Sequence, residues 1–109
     1  MTEKKMTEEE ELESMNDVIA EIRARRKEHI RELKEKIEET NPDAMLADGL
    51  DDALAGYDSR GRAIYLIEEI LGILITRDGM TEEEAQEFFD FNIECAHVGQ
   101  FTPIYMWEE

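Results

Sequence analysis

The chain has 109 residues, with 12 basic side chains against 29 acidic ones and a formal net charge of -17, so it holds at most one ordinary domain. A chain this acidic is repelled by nucleic acid and by anionic membranes, which excludes non-specific binding to either and points to basic surfaces as partners. Hydrophobic residues make up 41% against 38% charged, enough for part of the chain to pack into a core.

Cys95 is the one cysteine, so no intrachain disulfide can form and a reducing cytoplasm is the expected compartment. The first eight residues lack the apolar stretch of a signal peptide. The longest apolar or glycine run, 70–75, is far too short to span a bilayer. The expectation is a cytoplasmic protein with no membrane partner.

Charge divides the molecule near Thr40. Residues 1–40 carry 9 basic and 13 acidic groups, net -4, and residues 41–109 carry 3 and 16, net -13. All six glycines, both prolines, every aromatic and the cysteine lie in the second part. This composition predicts a charged amphipathic helical segment over 1–40 and a small acidic domain over 41–109 that owns the core.

In the first segment, Thr7 followed by Glu10 matches a helix-starting capping box, and Glu8 to Glu11 favour the helix dipole. Leu12, Met15, Ile19, Ile22, Arg26, Ile30, Leu33 and Ile37 recur at intervals of three or four, one narrow apolar stripe that Arg26 interrupts. Pairs such as Glu32 with Lys36 add only about 0.3 kcal/mol, so the helix needs something to pack on. That support is either its own domain or, in a coiled coil, a second copy of the chain.

Asn41-Pro42 ends the helix, because the residue before proline avoids helical backbone angles. Asp58-Ser59-Arg60-Gly61 is rich in turn formers between two short apolar-aromatic runs and predicts a hairpin with strands near 52–57 and 62–65. Residues 66–76 read as a helix with a broad buried face, closed by Asp78-Gly79. Thr81 with Glu84 opens a further helix through Val98, stopped by Gly99. On it Ala85, Phe88, Phe89, Asn92, Cys95 and Ala96 share one face at α-helical spacing, which places Asn92 among phenylalanines as a buried backbone clamp and Cys95 as a small core thiol. Residues 101–107, containing Pro103, read as a closing edge strand. The predicted fold class is α+β: a β-hairpin, two antiparallel helices and a closing strand, preceded by a long charged helix.

The stretch N-P-D-A-M-L-A-D-G-L-D-D-A-L-A-G-Y from Asn41, G-R-A-I-Y from Gly61, R-D-G-M-T-E-E-E-A-Q-E-F-F-D-F-N-I from Arg77 and A-H-V-G-Q-F-T-P-I from Ala96 resembles a family of small uncharacterised bacteriophage and prophage proteins. The resemblance covers about residues 41–106. It implies a phage context and brings no catalytic residues. His97 stands where many relatives have a tyrosine, and the charged segment before Asn41 is longer than the signature needs.

Little chemistry has support. Catalysis by Cys95 would need a histidine, yet His97 lies two residues away, about 200° around a helix, and His29 is in the other segment. Asp48, Asp51, Asp52 and Asp58 do not follow the alternation of a calcium loop, and the glycines form no phosphate-binding motif. The expectation is no enzyme, metal or cofactor.

Acidity is the feature with functional reach. A 69-residue domain has a radius of gyration of about 11 Å, roughly 28 Å across. Duplex DNA of that length carries about 16 phosphate charges, comparable with the domain's -13. The resulting expectation is a phage-type interaction protein that binds a basic host protein, such as a nucleic-acid-binding defence component, in the manner of a DNA-mimicking anti-CRISPR or anti-restriction inhibitor. The alternative is a protein that forms a homodimer through its N-terminal helix. Glu83, Glu87, Asp90 and Glu94, spaced 4, 3 and 4, would form one acidic face. Asp48, Asp51, Asp52 and Asp58 would form an acidic loop without cations, and Trp107 an aromatic anchor beside Glu108.

Overall fold

The computed structural model describes residues 7–96 and 99–108. A 33-residue helix, α1 (Glu8–Thr40), is followed by a single 3-10 turn at Asp51–Ala53 and strand β1 (Leu54–Tyr57). Strand β2 (Ala63–Leu66), helix α2 (Ile67–Thr76) and helix α3 (Glu82–Phe88) come next. A π-helical segment (Phe89–Glu94) and strand β3 (Ile104–Met106) complete the order. The fold is α+β, as the sequence predicts. β1 and β2 form an antiparallel hairpin with a bulge between Leu54 and Gly56, and β3 runs parallel to β2 at the sheet edge, pairing Tyr65 with Tyr105. A parallel neighbour requires a crossover, and α2, α3 and the π-helical segment supply it.

Local chemistry explains most boundaries. The Thr7 hydroxyl accepts the Glu10 amide at 3.2 Å to open α1, and Thr81 with Glu84 forms a complete capping box for α3. The predicted first strand starts two residues late because Asp51–Ala53 is wound as a 3-10 turn. At the tip of the hairpin, Asp58 accepts the amides of Arg60 and Arg62 at 3.0 and 2.8 Å and the Arg62 side chain at 2.6 Å. Burial pushes this carboxyl up, but the bonds from Arg62 and Arg60 outweigh it and hold Asp58 below the usual carboxylate range.

The core crosses the boundary at Thr40. Ile30 and Ile37 of α1 are buried together with Leu50, Ala53, Leu54, Ala63, Tyr65, Ile67, Ile70, Leu74, Ala85 and Phe89, with Leu33 half-buried beside them. The second part alone therefore does not own the core. Arg26, which breaks the stripe in sequence, reaches the Asp52 carbonyl and Glu69, so it joins helix to domain rather than defacing a seam. Lys34 pairs with Asp51, and Lys36 pairs with Glu39 instead of Glu32.

At the junction sits Asn41, the one buried polar residue among those described. Its Nδ2 donates to the Arg60 carbonyl at 3.0 Å, its Oδ1 accepts the Asp43 amide at 3.0 Å, and its own amide caps Ile37 at 2.8 Å. Helix end and hairpin tip are thus tied by one side chain whose polar atoms are all satisfied. Gly61 permits the approach. Its φ is +79°, and a Cβ there would lie 2.6 Å from that of Asn41.

This packing carries three predictions. Ile37→Ala leaves a hole in the core and should lower unfolding free energy by about 2 to 5 kcal/mol. Gly61→Ala, strained by its φ and crowded by Asn41, should cost about 1 to 3 kcal/mol; urea titration measures both. Third, Tyr65 is fully buried and its hydroxyl accepts the Ala47 amide at 2.9 Å. Burial pushes its pKa up to about 12 from 10.0, and the nearby negative charges of Asp51 and Asp48 add to the rise. The fold favours the neutral phenol, so this stabilisation is complete below pH 10.0 and disappears as pH climbs toward about 12. Urea midpoints between about pH 9 and 11.5 should fall, and fall less steeply in Tyr65→Phe.

Candidate acidic-aromatic face

α3 begins on its capping box, and its first turn carries Glu82, Glu83 and Glu84, where the helix N-terminus tolerates negative charge. Ala85 and Phe89 face the core, and the Phe89 ring packs edge-on against Tyr105 of β3 at 5.7 Å and 88°. The helix then widens to π-helical turns over Phe89–Glu94. A π turn carries one residue more than an α turn, so every side chain beyond it is displaced by one position, about 100°.

That displacement corrects several expectations. Ile93, not Asn92, follows Phe89 onto the core. Asn92 is exposed, and so are Cys95 and Ala96. The clamp role expected of Asn92 belongs to Asn41. Cys95 is no core thiol: its Sγ donates to the Asp90 carbonyl at 2.9 Å at the surface. His97 and Val98, part of the predicted helix, lie outside the described residues.

Phe88 is 39% and Phe91 76% exposed, an unusual pair to leave in water. Together with Met80, Glu84, Glu87 and Asn92 they line an open cleft of about 350 Å³. Glu84 with Phe88 and Glu87 with Phe91 are four residues apart, so each carboxylate lies one helical turn before an exposed ring. Among the described residues no acid from Glu82 to Glu94 takes part in an ion pair, while Glu84 is engaged in its capping box. Aromatic faces flanked by uncompensated carboxylates suit a lysine or arginine side chain, whose cation meets the rings and the negative charge together.

The other predicted positions fare unevenly. Glu83 and Glu87 are exposed as expected, and so is Glu94 at the end of the π-helical segment, but Asp90 is half-buried and bonded to Gln86 Nε2 at 2.9 Å, so the four do not form one free acidic stripe. The aspartate loop is not free of cations. Asp51 pairs with Lys34 and Asp58 with Arg62, and Arg77 caps the Gly49 carbonyl while pairing with Asp78. Asp48 and Asp52 remain exposed, without a side-chain partner among the described residues. Trp107, 52% exposed, follows the edge strand β3. No described helix is long and apolar enough to cross a membrane, and no described group of three His, Cys, Asp or Glu side chains is placed to hold a metal ion.

Comparison with protein-family models, with curated proteins and with solved structures returns no match.

Because Asn92 and Phe91 point to solvent, Asn92→Ala and Phe91→Ala should each change stability by less than about 0.5 kcal/mol. A buried amide clamp would lose about 1 to 3 kcal/mol. Thermal and urea unfolding of the two variants distinguish these cases.

Proposed function

We propose that the protein is a non-enzymatic interaction protein whose acidic-aromatic face binds a basic protein of the host. The carrying observation is the cleft in which exposed Phe88 and Phe91 lie beside Glu84 and Glu87, neither of which is in an ion pair among the described residues. Burying two aromatic side chains supplies affinity, and the surrounding negative charge selects a basic partner and speeds encounter. Glu83 and Glu87 contribute the field on α3. Asp48 and Asp52 extend it on the loop, whereas Asp51 and Asp58 serve the fold.

A partner of this kind is most economically a nucleic-acid-binding protein, whose groove already accepts closely spaced negative charge. The phage context implied by residues 41–106 makes a host defence component, held off in the manner of a DNA mimic, the reading we favour. Its working place is then the cytoplasm of the host bacterium.

The test is recovery of a partner on immobilised full-length protein from host lysate. A basic protein should be retained at about 50 mM salt and released at about 500 mM as screening shortens. Phe88→Ala/Phe91→Ala should abolish retention, and Glu83→Gln/Glu87→Gln should weaken it with a shallower salt dependence. Duplex DNA should compete for the same partner. Retention unchanged in both variants would remove this face from the account.

A further inference from the structure

α1 outruns the domain it packs on. At 1.5 Å per residue the helix is about 50 Å long, and it accounts for a molecule 66 Å in its longest dimension and 24 Å in its shortest. Core contacts begin only at Ile30. Before that point Leu12, Met15, Val18, Ile19 and Ile22 are between 43% and 60% exposed. An apolar row at spacings 3, 4 and 3 is the seam of a coiled coil awaiting another helix.

Charge states which helix. From Glu8 to Asp17 there are six acids, Glu8, Glu9, Glu10, Glu11, Glu13 and Asp17, and no base; Arg23, Arg25, Arg26 and Lys27 follow with no acid among them. None of those six carboxylates forms an ion pair among the described residues, and Arg23 and Lys27 have no partner either. We propose that this half of α1 pairs antiparallel with the same half of a second copy, with residue 17 at the two-fold axis.

The register follows from the seam. Placing Leu12 against Ile22 of the second copy sets Met15 against its Ile19, giving four apolar layers. The same register lays Glu8 beside Arg26 of the second copy at the end of the seam, Glu9 beside its Arg23 and Glu11 beside its Arg25. A parallel pair would instead stack acid on acid and base on base. The receiving end is built in this chain: an open cleft of about 450 Å³ where α1 meets the domain is lined by Arg23, Arg26 and Lys27 on one side and by Asp52, Glu69 and Ile73 on the other. The acidic first turn of the second copy's helix would enter there, against Arg23 and Lys27 and beside Arg26, which Glu69 already shares. The dimer would carry its two acidic domains at opposite ends. The inference uses none of the α3 residues and stands apart from the function proposed above.

Sedimentation equilibrium of the full chain tests association, and cross-linking tests its direction. The chain should be dimeric at about 100 μM, and Arg23→Glu/Arg25→Glu should raise the dimer dissociation constant at least about tenfold. Adding Glu9→Arg/Glu11→Arg to that variant should restore it. In a Cys95→Ser background, a short bismaleimide should join two copies of Val18→Cys, which flanks the axis, and not of Glu11→Cys. Equal cross-linking at both positions would establish parallel pairing and overturn the proposal. So would a monomer throughout, with helicity unchanged by circular dichroism, which would leave the stripe to a different protein.

Discussion

The structure depends on one join, the docking of the second half of α1 onto the hairpin. A domain of about 70 residues has little interior to spare, and Ile30, Leu33 and Ile37 supply a wall that residues 41–109 lack. The same contact is what lets α1 exist, since a charged helix with a narrow stripe has little stability of its own in water. Asn41 fixes the angle of the join by bonding the hairpin tip as the helix ends, and Gly61 clears the space. What projects beyond Arg26 is then a helix held at one end, and its exposed stripe is a consequence of where the domain stops.

The π-helical segment is the second determinant, and it decides which side chain beyond Phe89 packs on the core. With α spacing, the turn after Phe89 would drive Asn92 into the core; one additional residue brings Ile93 there instead and leaves the amide in water. Exchanging an unpaired buried amide for an apolar side chain explains why the wider turn is favoured here. Phe91, one turn beyond Glu87, is 76% exposed.

Features coded within a few residues were legible in the sequence: the Thr7 and Thr81 caps, the stop at Asn41-Pro42, the turn at Asp58 to Gly61, and α2 with its continuous apolar face. The α+β class followed from these. Contacts between distant residues were not legible. Nothing near Asp51 announces Lys34, and Arg26 reads as a flaw in a stripe until the Asp52 carbonyl and Glu69 stand opposite it. Periodicity assumes one residue spacing throughout, so a π-helical turn defeats it, and α spacing puts Asn92 and Cys95 on the wrong face for that single reason. Asp58 serves its own hairpin rather than a partner, as the turn chemistry of Asp58-Ser59-Arg60-Gly61 favours. Asn41 carries the same kind of signal, an amide between a helix end and a proline.

The account therefore divides the chain differently from its composition. Composition separates a charged helix from an acidic domain at Thr40; packing puts the division near Arg26, with a folded unit after it and a projecting helix before it. Equilibrium urea unfolding of residues 26–109 beside residues 41–109 tests this most directly. The longer chain should unfold in one cooperative transition, and the shorter, stripped of Ile30, Leu33 and Ile37, should show none. Cooperative unfolding of residues 41–109 at the same midpoint would contradict the claim that α1 completes the core.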